Sequence, residues 1–189
     1  MGNWEIFIIV VLVLGAILVI GNSQETIKWD HSNLTYSFEN KSSCGKCEIS
    51  DVSRAFYIIK NQTGLFNFEE IEEGNEDADF LIFCNNSIPK RKKDIPAGLA
   101  SINKSGSTIN SVKIIFYGIN PPPSSGVLFG CSDDFPIVEI HEVLHGLGLV
   151  EHSNNPKSVF YNVDSGPLYG EEIDEIDEEI VERIVEIYG

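Results

Sequence analysis

The sequence predicts an α+β domain, because segments with strand and helix patterns are mixed along the chain without a regular βαβ alternation. The chain has 189 residues, of which 42% are hydrophobic, enough for one globular domain and an additional segment. That additional segment is an apolar run near the N-terminus, followed by polar residues. We therefore expect a transmembrane anchor or signal at 1–21, a linker at 22–30 and the folded domain at 31–189.

Eight stretches account for the expected secondary structure. Strand composition or alternation is found at 34–38, 66–71, 79–84, 97–102 and 111–117. A Ser/Gly/Asn segment typical of a hairpin separates the last two strands. Apolar residues recur at helical spacing at 51–60, 135–147 and 170–188. The last of these helices has acidic residues between its isoleucines and valines, which predicts an apolar stripe on a charged surface helix.

The charge balance excludes one class of partner. The chain carries 29 acidic and 13 basic residues, a formal net charge of −16. Nucleic acid is not an expected partner, because binding phosphates requires a basic face. The basic run Lys90–Lys93 is more typical of a solvated turn than of a binding patch. We expect the chain to act as a monomer.

The apolar run from Ile6 to Ile20 predicts contact with a membrane. It is slightly short for a spanning helix, which needs about 17–25 residues, but Trp4 and Gly21 extend it. No Lys or Arg precedes it, which favours an uncleaved single-pass anchor with the domain outside the cytoplasm. The alternative is a secreted protein, because Gly21 and Ser23 are small enough for a signal cleavage site.

Asparagine sequons and cysteines agree with export. The Asn-x-Ser/Thr sequons lie at Asn33, Asn40, Asn61, Asn85 and Asn103. The cysteines, an even number as oxidising compartments favour, are Cys44, Cys47, Cys84 and Cys131. Four cysteines allow three pairings, and all three stay open. A local or structural disulfide is a better interpretation of the CGKC motif than a redox pair or half a zinc knuckle.

Three of the four histidines lie within residues 141–152, HEVLHGLGLVEH. His141 and His145 are separated by one helical turn, so a helix places both imidazoles on one face, where they can share a metal ion. Glu142 is rotated off the first ligand, and its carboxylate can reach a water that the metal activates. The pattern predicts two zinc ligands and a general base. The alternative is an amphipathic helix whose histidines merely lie on its polar face.

A catalytic zinc needs a third protein ligand, and two residues compete for this role. Gly148 can adopt the left-handed conformation, end the helix and turn the chain back toward the metal. Glu151 and His152 follow the turn, and both residue types bind zinc.

Residues 141–153 resemble the motif of the matrixin-type zinc endopeptidases of the metzincin clan, His-Glu-x-x-His-x-x-Gly-x-x-His followed by Ser. The matching residues are His141, Glu142, His145, Gly148, His152 and Ser153. Glu151 occupies the position expected for the third ligand, and His152 comes one residue late. The resemblance favours His152, because the His-Ser pair keeps its spacing to the turn that follows, and Glu151 stays the alternative.

The resemblance extends over roughly residues 28–165. It implies a metzincin-like fold, in which a twisted, mainly parallel mixed β-sheet packs on a helix and the active-site helix, with a C-terminal helix after them. Gly98, Leu99 and Ala100 resemble the family's edge strand, against which an extended peptide substrate lies by strand addition.

The turn after the third ligand also resembles the family, with one change. The Met-Tyr pair of the family is replaced by Phe160 and Tyr161, which we expect to form the floor and wall below the metal. The only other histidine in the sequence is His31, so we expect one catalytic Zn²⁺ and no second zinc site built from histidines.

These observations predict a zinc-dependent endopeptidase that hydrolyses peptide bonds in extracytoplasmic proteins. Its zinc ligands are His141, His145 and His152, and its general base is Glu142. The alternative is a non-catalytic zinc-binding surface domain that binds a partner, which the displaced ligand and the missing Met would allow. The presence of Glu142 counts against this alternative, because metal binding alone does not require that residue.

Overall fold

The computed structural model describes residues 26–85, 97–117, 135–161 and 173–189. These ranges contain five strands and three α-helices. In chain order they are β1 (Asn33–Phe38), α1 (Lys46–Thr63), β2 (Asn67–Glu70), β3 (Phe80–Asn85), β4 (Gly98–Ser105), β5 (Thr108–Tyr117), α2 (Ile137–Gly146) and α3 (Glu178–Tyr188). A short 3-10 helix, Lys41–Ser43, precedes α1. The predicted α+β class is confirmed.

The five strands form one mixed sheet in the order β2-β1-β3-β5-β4. All pairs are parallel except that of β4 with β5, which is antiparallel. A parallel pair needs a crossover, and α1 supplies the one between β1 and β2. β4 and β5 follow each other directly and form a hairpin, with Gly106 in its turn at φ 60°. The predicted mainly parallel mixed sheet is confirmed, and β4 is one of its edges.

The core lies between the sheet and the helices α1 and α2, which also contact each other. Strand β3 alternates between buried and half-buried residues, as its sequence pattern predicts. Helix α1 contributes one face, with Val52, Ala55, Phe56 and Ile59 buried. The ring of Phe56 stacks on that of Tyr36, with 4.3 Å between the ring centroids. Burial of these apolar side chains stabilises the helix on the sheet.

Helix α1 begins at Lys46 rather than at residue 51. Gly45 is the N-cap, and its backbone N–H donates to Oε2 of Glu48 at 2.6 Å. This bond satisfies an amide at the helix start, so the first turn forms without the apolar periodicity on which the prediction depended. The helix ends at Thr63, and Gly64 follows in the left-handed conformation with φ 67°.

Helix α3 begins at Glu178, so the predicted start at residue 170 is wrong. Residues 173–177 are not helical. The backbone N–H of Ile176 donates to Oε1 of Gln62 at 2.9 Å, and Asp177 is the N-cap with extended backbone angles. This contact with α1 lies directly before the N-cap of the helix. The predicted apolar stripe still faces the core, where Ile176, Ile180 and Ile184 are buried.

The first described residues belong to the core. Ile27 and Trp29 are buried, and Lys28 forms a β-bridge with Thr108. The indole Nε1–H of Trp29 donates to the backbone oxygen of Gly146 at 3.0 Å, at the end of α2. The packed domain therefore begins within the residues that the sequence analysis assigned to the linker.

One disulfide connects the start of α1 with the sheet. Cys44 is bonded to Cys84, at the end of β3. Cys47 is also disulfide-bonded. Because Cys44 pairs with Cys84, the two cysteines of the CGKC motif are not bonded to each other.

Several expected features lie outside the described residues. They include the apolar run at 6–20, the basic run at 90–93 and the first residues of the predicted helix at 170–188. None of the helices in the described ranges combines the length and the hydrophobicity that crossing a bilayer requires.

Candidate metal centre

Helix α2 is buried along most of its length, because it packs against α1 and the strands β4 and β5. Ile140, Val143 and Leu144 contribute to the core. His141 and Glu142 are buried as well, each with only 7% of its surface exposed. A buried polar side chain costs free energy unless it has partners. The partners of these two side chains therefore show which interactions stabilise them inside the protein.

A Schellman motif ends α2 at Gly148. The backbone N–H of Gly148 donates to the backbone oxygen of His145 at 2.9 Å, and that of Leu149 donates to the backbone oxygen of Leu144 at 3.2 Å. Gly148 has φ 93°, in the left-handed region. A Cβ at this position would lie 2.2 Å from the carbonyl oxygen of Ile27. Both the backbone angle and this close approach require glycine.

The bend brings three histidines together. Nε2 of His152 lies 3.1 Å from Nε2 of His141 and 3.2 Å from Nε2 of His145. The ligand atoms of all three residues lie within 4.8 Å of one another, which is close enough to bind one metal ion. The described ranges contain no second group of this kind.

Backbone carbonyls determine which ring nitrogen carries the proton in two of the histidines. Nδ1 of His141 lies 3.1 Å from the oxygen of Val159, and Nδ1 of His145 lies 2.8 Å from the oxygen of Leu149. A carbonyl oxygen only accepts, so each Nδ1 donates its hydrogen and each Nε2 presents a lone pair. A single N–H on His152 would satisfy one of these lone pairs, whereas a shared cation satisfies all three rings.

The spacing of the nitrogens fits a tetrahedral ion. With metal–nitrogen bonds of about 2.0–2.1 Å, two ligand atoms of a tetrahedral site lie about 3.3 Å apart. The observed separations of 3.1 and 3.2 Å are close to this value. Three protein ligands also leave a fourth position for another molecule. A set of three imidazoles suits zinc, copper, nickel and iron alike.

Burial keeps His141 and His145 neutral. It lowers the pKa of His141 to about 4, and the neighbouring His145 contributes to the shift. Burial likewise lowers the pKa of His145. Both rings therefore carry no charge at pH 7 and keep the lone pair that metal binding requires.

Phe160 lies against all three imidazoles. Its ring centroid is 4.8, 4.7 and 5.2 Å from those of His141, His145 and His152. The side chain of Phe160 is fully buried. The backbone N–H of Ser153 donates to the oxygen of Phe160 at 2.9 Å, and Ser153 also forms a β-bridge with Tyr161. The segment that carries Phe160 is thus hydrogen-bonded to the segment that carries His152.

Glu142 contacts the edge strand β4. The backbone N–H of Ala100 favours the charged form of its carboxylate. A Cβ built on Gly98 would lie 2.5 Å from Cγ of Glu142, so any other residue at this position would collide with the side chain. The pKa of Glu142 is raised to about 7, mainly by burial and to a smaller extent by the carboxylate of Glu139, while the backbone N–H of Ala100 opposes the shift.

Strand alternation places Leu99 on the opposite face of β4 from Gly98 and Ala100. Its side chain is 44% exposed. Within the described ranges β4 pairs only with β5 and is an edge of the sheet.

Glu151 is not part of the histidine cluster. It is exposed, and its carboxylate does not belong to the group of ligand atoms that the three histidines form. Its backbone oxygen instead accepts a hydrogen bond from Nη2 of Arg183 at 2.6 Å. Of the two candidates for the third ligand, His152 is the one that lies beside the other two imidazoles.

Several residues that support the centre were missed by the sequence analysis. Ile27 contacts the bend at Gly148, and Arg183 binds the loop that carries His152. Neither residue belongs to a motif, and both are far from the histidines in sequence. Trp29, which is hydrogen-bonded to the end of α2, lies within the stretch of roughly residues 28–165 that the family resemblance covers.

No known protein family matches the chain, and no curated protein matches it either. The features that indicate a function are therefore the three converging histidines and the carboxylate that follows the first of them.

Proposed function

We propose that the chain is a zinc-dependent endopeptidase that hydrolyses peptide bonds in extracytoplasmic proteins. The observation that carries the proposal is the convergence of three Nε2 atoms, 3.1 and 3.2 Å apart, beside a buried glutamate on the same helix. His141, His145 and His152 would hold one Zn²⁺. When bound there, zinc supplies a Lewis acid that acidifies a water and polarises the scissile carbonyl.

Glu142 is the general base of this proposal. Its carboxylate takes a proton from the attacking water and returns it to the leaving amine. The backbone N–H of Ala100 stabilises the negative charge of the carboxylate, and the absence of a side chain at Gly98 leaves room for it. A pKa raised to about 7 by burial suits a group that must both accept and donate a proton near neutral pH.

The edge strand β4 is the proposed substrate-binding element. An extended peptide can pair with a free strand edge through backbone hydrogen bonds. Gly98 and Ala100 lie on the face of β4 that contacts Glu142, so a peptide aligned on this strand passes the general base. Peptide or protein substrates follow from this arrangement.

The matrixin-like metzincin fold is part of the same proposal. Its support is a mainly parallel five-stranded sheet with one antiparallel edge, two helices packed on the sheet and a further helix at the end of the chain. Phe160 against the three imidazoles supports the idea that it replaces the Met of the family's turn.

We also propose that the domain lies outside the cytoplasm, anchored by residues 1–21 or secreted after their removal. The disulfide between Cys44 and Cys84 supports an oxidising compartment. Most of the sequon asparagines are accessible to modification. The exposed ones are Asn33, Asn40, Asn61 and Asn103, and Asn85 is half-buried.

The first experiment tests the base. The full-length chain and its Glu142→Gln variant are purified in a mild detergent, and zinc content and cleavage of an unstructured protein are measured. We expect one zinc in both proteins and a loss of cleavage of roughly 10²–10⁴-fold in the variant, the usual contribution of a general base. Equal cleavage by the two proteins would show that Glu142 is not the base.

The second experiment tests the third ligand, with His152→Ala and Glu151→Ala as a matched pair. We expect His152→Ala to lose zinc, because two imidazoles remain, and Glu151→Ala to keep it, because the carboxylate lies outside the cluster. The opposite result would identify Glu151 as the ligand. A wild-type chain that binds zinc but shows no chelator-sensitive cleavage would support the non-catalytic zinc-binding domain instead.

A further inference from the structure

The loop from Leu149 to His152 connects the bend of α2 to the third imidazole. It is the part of the centre in which the sequence differs from the matrixin motif, because Glu151 is an additional residue before the histidine. Such a loop must be held in place if His152 is to meet the other two rings. The contacts that hold it come from α3, where Arg183 lies 32 residues after Glu151.

Arg183 of α3 makes the shortest of these contacts. Its Nη2 donates to the backbone oxygen of Glu151 at 2.6 Å, a charge-assisted hydrogen bond. Its guanidinium carbon lies 5.7 Å from the ring centroid of Phe160, within the range of a cation–π interaction. One side chain thus contacts both the loop that carries His152 and the ring that lies against all three imidazoles.

The residue after His152 is also bound to α3. Oγ of Ser153 donates to Oε2 of Glu179 at 3.0 Å, and Oε1 of Glu179 lies 4.0 Å from Nη1 of Arg183. The residues on both sides of His152 are therefore hydrogen-bonded to neighbouring positions of one helix. Glu179 also offsets the positive charge that Arg183 would otherwise place near a cation site.

We propose that Arg183 is a positioning residue of the metal centre, which fixes the backbone at Glu151 so that Nε2 of His152 converges with those of His141 and His145. The inference rests on the proposed function in so far as zinc is the bound ion. Arginine suits the task, because its planar guanidinium can bond a carbonyl and a carboxylate and stack on an aromatic ring at the same time. Without Arg183, the loop that carries His152 must become ordered when the metal binds, and the entropy cost of this ordering weakens the metal affinity.

The test measures zinc affinity and apo stability of the full-length chain in detergent. Arg183→Met keeps the aliphatic stem and the helix propensity but removes every donor, and Arg183→Lys restores one donor. Arg54→Met is the matched control. Arg54 also lies on a helix, has a comparable exposed fraction of 32% against 26%, and pairs with Asp51 at 3.6 Å within its own helix.

We expect Arg183→Met to weaken zinc binding by roughly 10–100-fold in competition with a chromogenic chelator, the usual effect of removing a residue that orients a ligand. Arg183→Lys should recover part of this loss. Arg54→Met should stay within about twofold of the wild type, because the ion pair of Arg54 lies within α1 and not at the loop that carries His152. The urea midpoints of apo Arg183→Met and apo Arg54→Met should be similar, which separates positioning from general destabilisation.

The other outcomes overturn the inference in distinguishable ways. If the wild type binds zinc and Arg183→Met binds it equally well, the positioning role is wrong while the proposed function stands. If apo Arg183→Met is unfolded, Arg183 stabilises the whole domain and does not act specifically on the loop from Leu149 to His152. If the wild-type chain binds no zinc, the proposed function fails and this inference fails with it.

Discussion

Helices α1 and α2 end in the same way and in different surroundings. Each is followed by a glycine in the left-handed conformation, Gly64 with φ 67° and Gly148 with φ 93°. A Cβ on Gly64 would meet nothing within 4 Å, whereas one on Gly148 would lie 2.2 Å from the oxygen of Ile27. The first glycine only ends a helix. The second glycine ends a helix and also contacts the N-terminal segment at Ile27. The chain then continues into the loop from Leu149 to His152.

A glycine that ends a helix can be recognised in the sequence, but the sequence does not show how many distant residues pack against it. Both glycines satisfy the same backbone requirement. At the end of α2, however, Trp29 and Tyr188 also bind the last carbonyls, those of Gly146 and Leu147. The end of α2 is therefore held by both termini of the domain, and the following experiments measure how strongly.

The largest expected difference is between Gly148→Ala and Gly64→Ala. At Gly64 the substitution should cost about 1 kcal/mol of unfolding free energy, because only the left-handed backbone is strained. At Gly148 the collision with Ile27 adds to this strain, and the cost should reach about 3 kcal/mol. Urea unfolding of the apo chain measures both. Zinc binding should weaken in Gly148→Ala only, and equal losses at the two glycines would refute the distinction.

A smaller effect is expected for Tyr188→Phe. The Tyr188 hydroxyl donates to Leu147 at 2.8 Å and accepts from the backbone N–H of Trp29 at 3.2 Å. Its removal should cost about 1–2 kcal/mol of unfolding free energy at pH 7. Tyr57→Phe is the control, because Tyr57 is 64% exposed and its substitution should change stability little.

The difference in unfolding free energy between the wild type and Tyr188→Phe should depend on pH. Burial raises the pKa of Tyr188 from 10 to about 12, and the hydrogen bond from Trp29 opposes the shift. A raised folded-state pKa means that the contribution is complete below pH 10 and is lost as the pH rises through about 12. The advantage of the wild type over Tyr188→Phe should therefore shrink from pH 10 to 12. A constant difference would show that Tyr188 is not buried.

The smallest effect is expected for Lys28→Met. Nζ of Lys28 donates to the oxygen of Ile187 at 3.1 Å in an exposed position. Its loss should change the unfolding free energy by less than about 0.5 kcal/mol, as for most surface substitutions. Lys60→Met, in the last turn of α1, is the matched control at the other helix end. A much larger loss in Lys28→Met would mean that a side chain, and not the buried backbone of Ile27, holds the N-terminal segment.

The sequence predicted the parts of the fold that depend on local pattern. The alternation in β3 and the isoleucine stripe of α3 indicate which residues are buried, because strand and helix periodicities determine the side that faces the core. The start of α1 was missed, because a contact between Gly45 and Glu48 replaces apolar periodicity there. The pairing of Cys44 with Cys84 depends on which elements are neighbours in space.

The candidate site divides in the same way. The spacing of His141 and His145 and the glycine after them are sufficient to predict two converging imidazoles and a bend. The choice between Glu151 and His152 stayed open on the residues alone, because it depends on how the loop is held. Arg183 holds it from another helix, and no feature of the local sequence at 149–153 indicates that contact.

The contact between Ile27 and Gly148 has a consequence for where the protein can work. If residues 1–21 remain in a bilayer, the chain from Gly21 to Ile27 can extend at most about 20 Å. The bend after α2 would then lie within about the same distance of the end of that segment, because Ile27 contacts Gly148. A molecule that binds at the three histidines would in that case have to approach the bilayer surface equally closely.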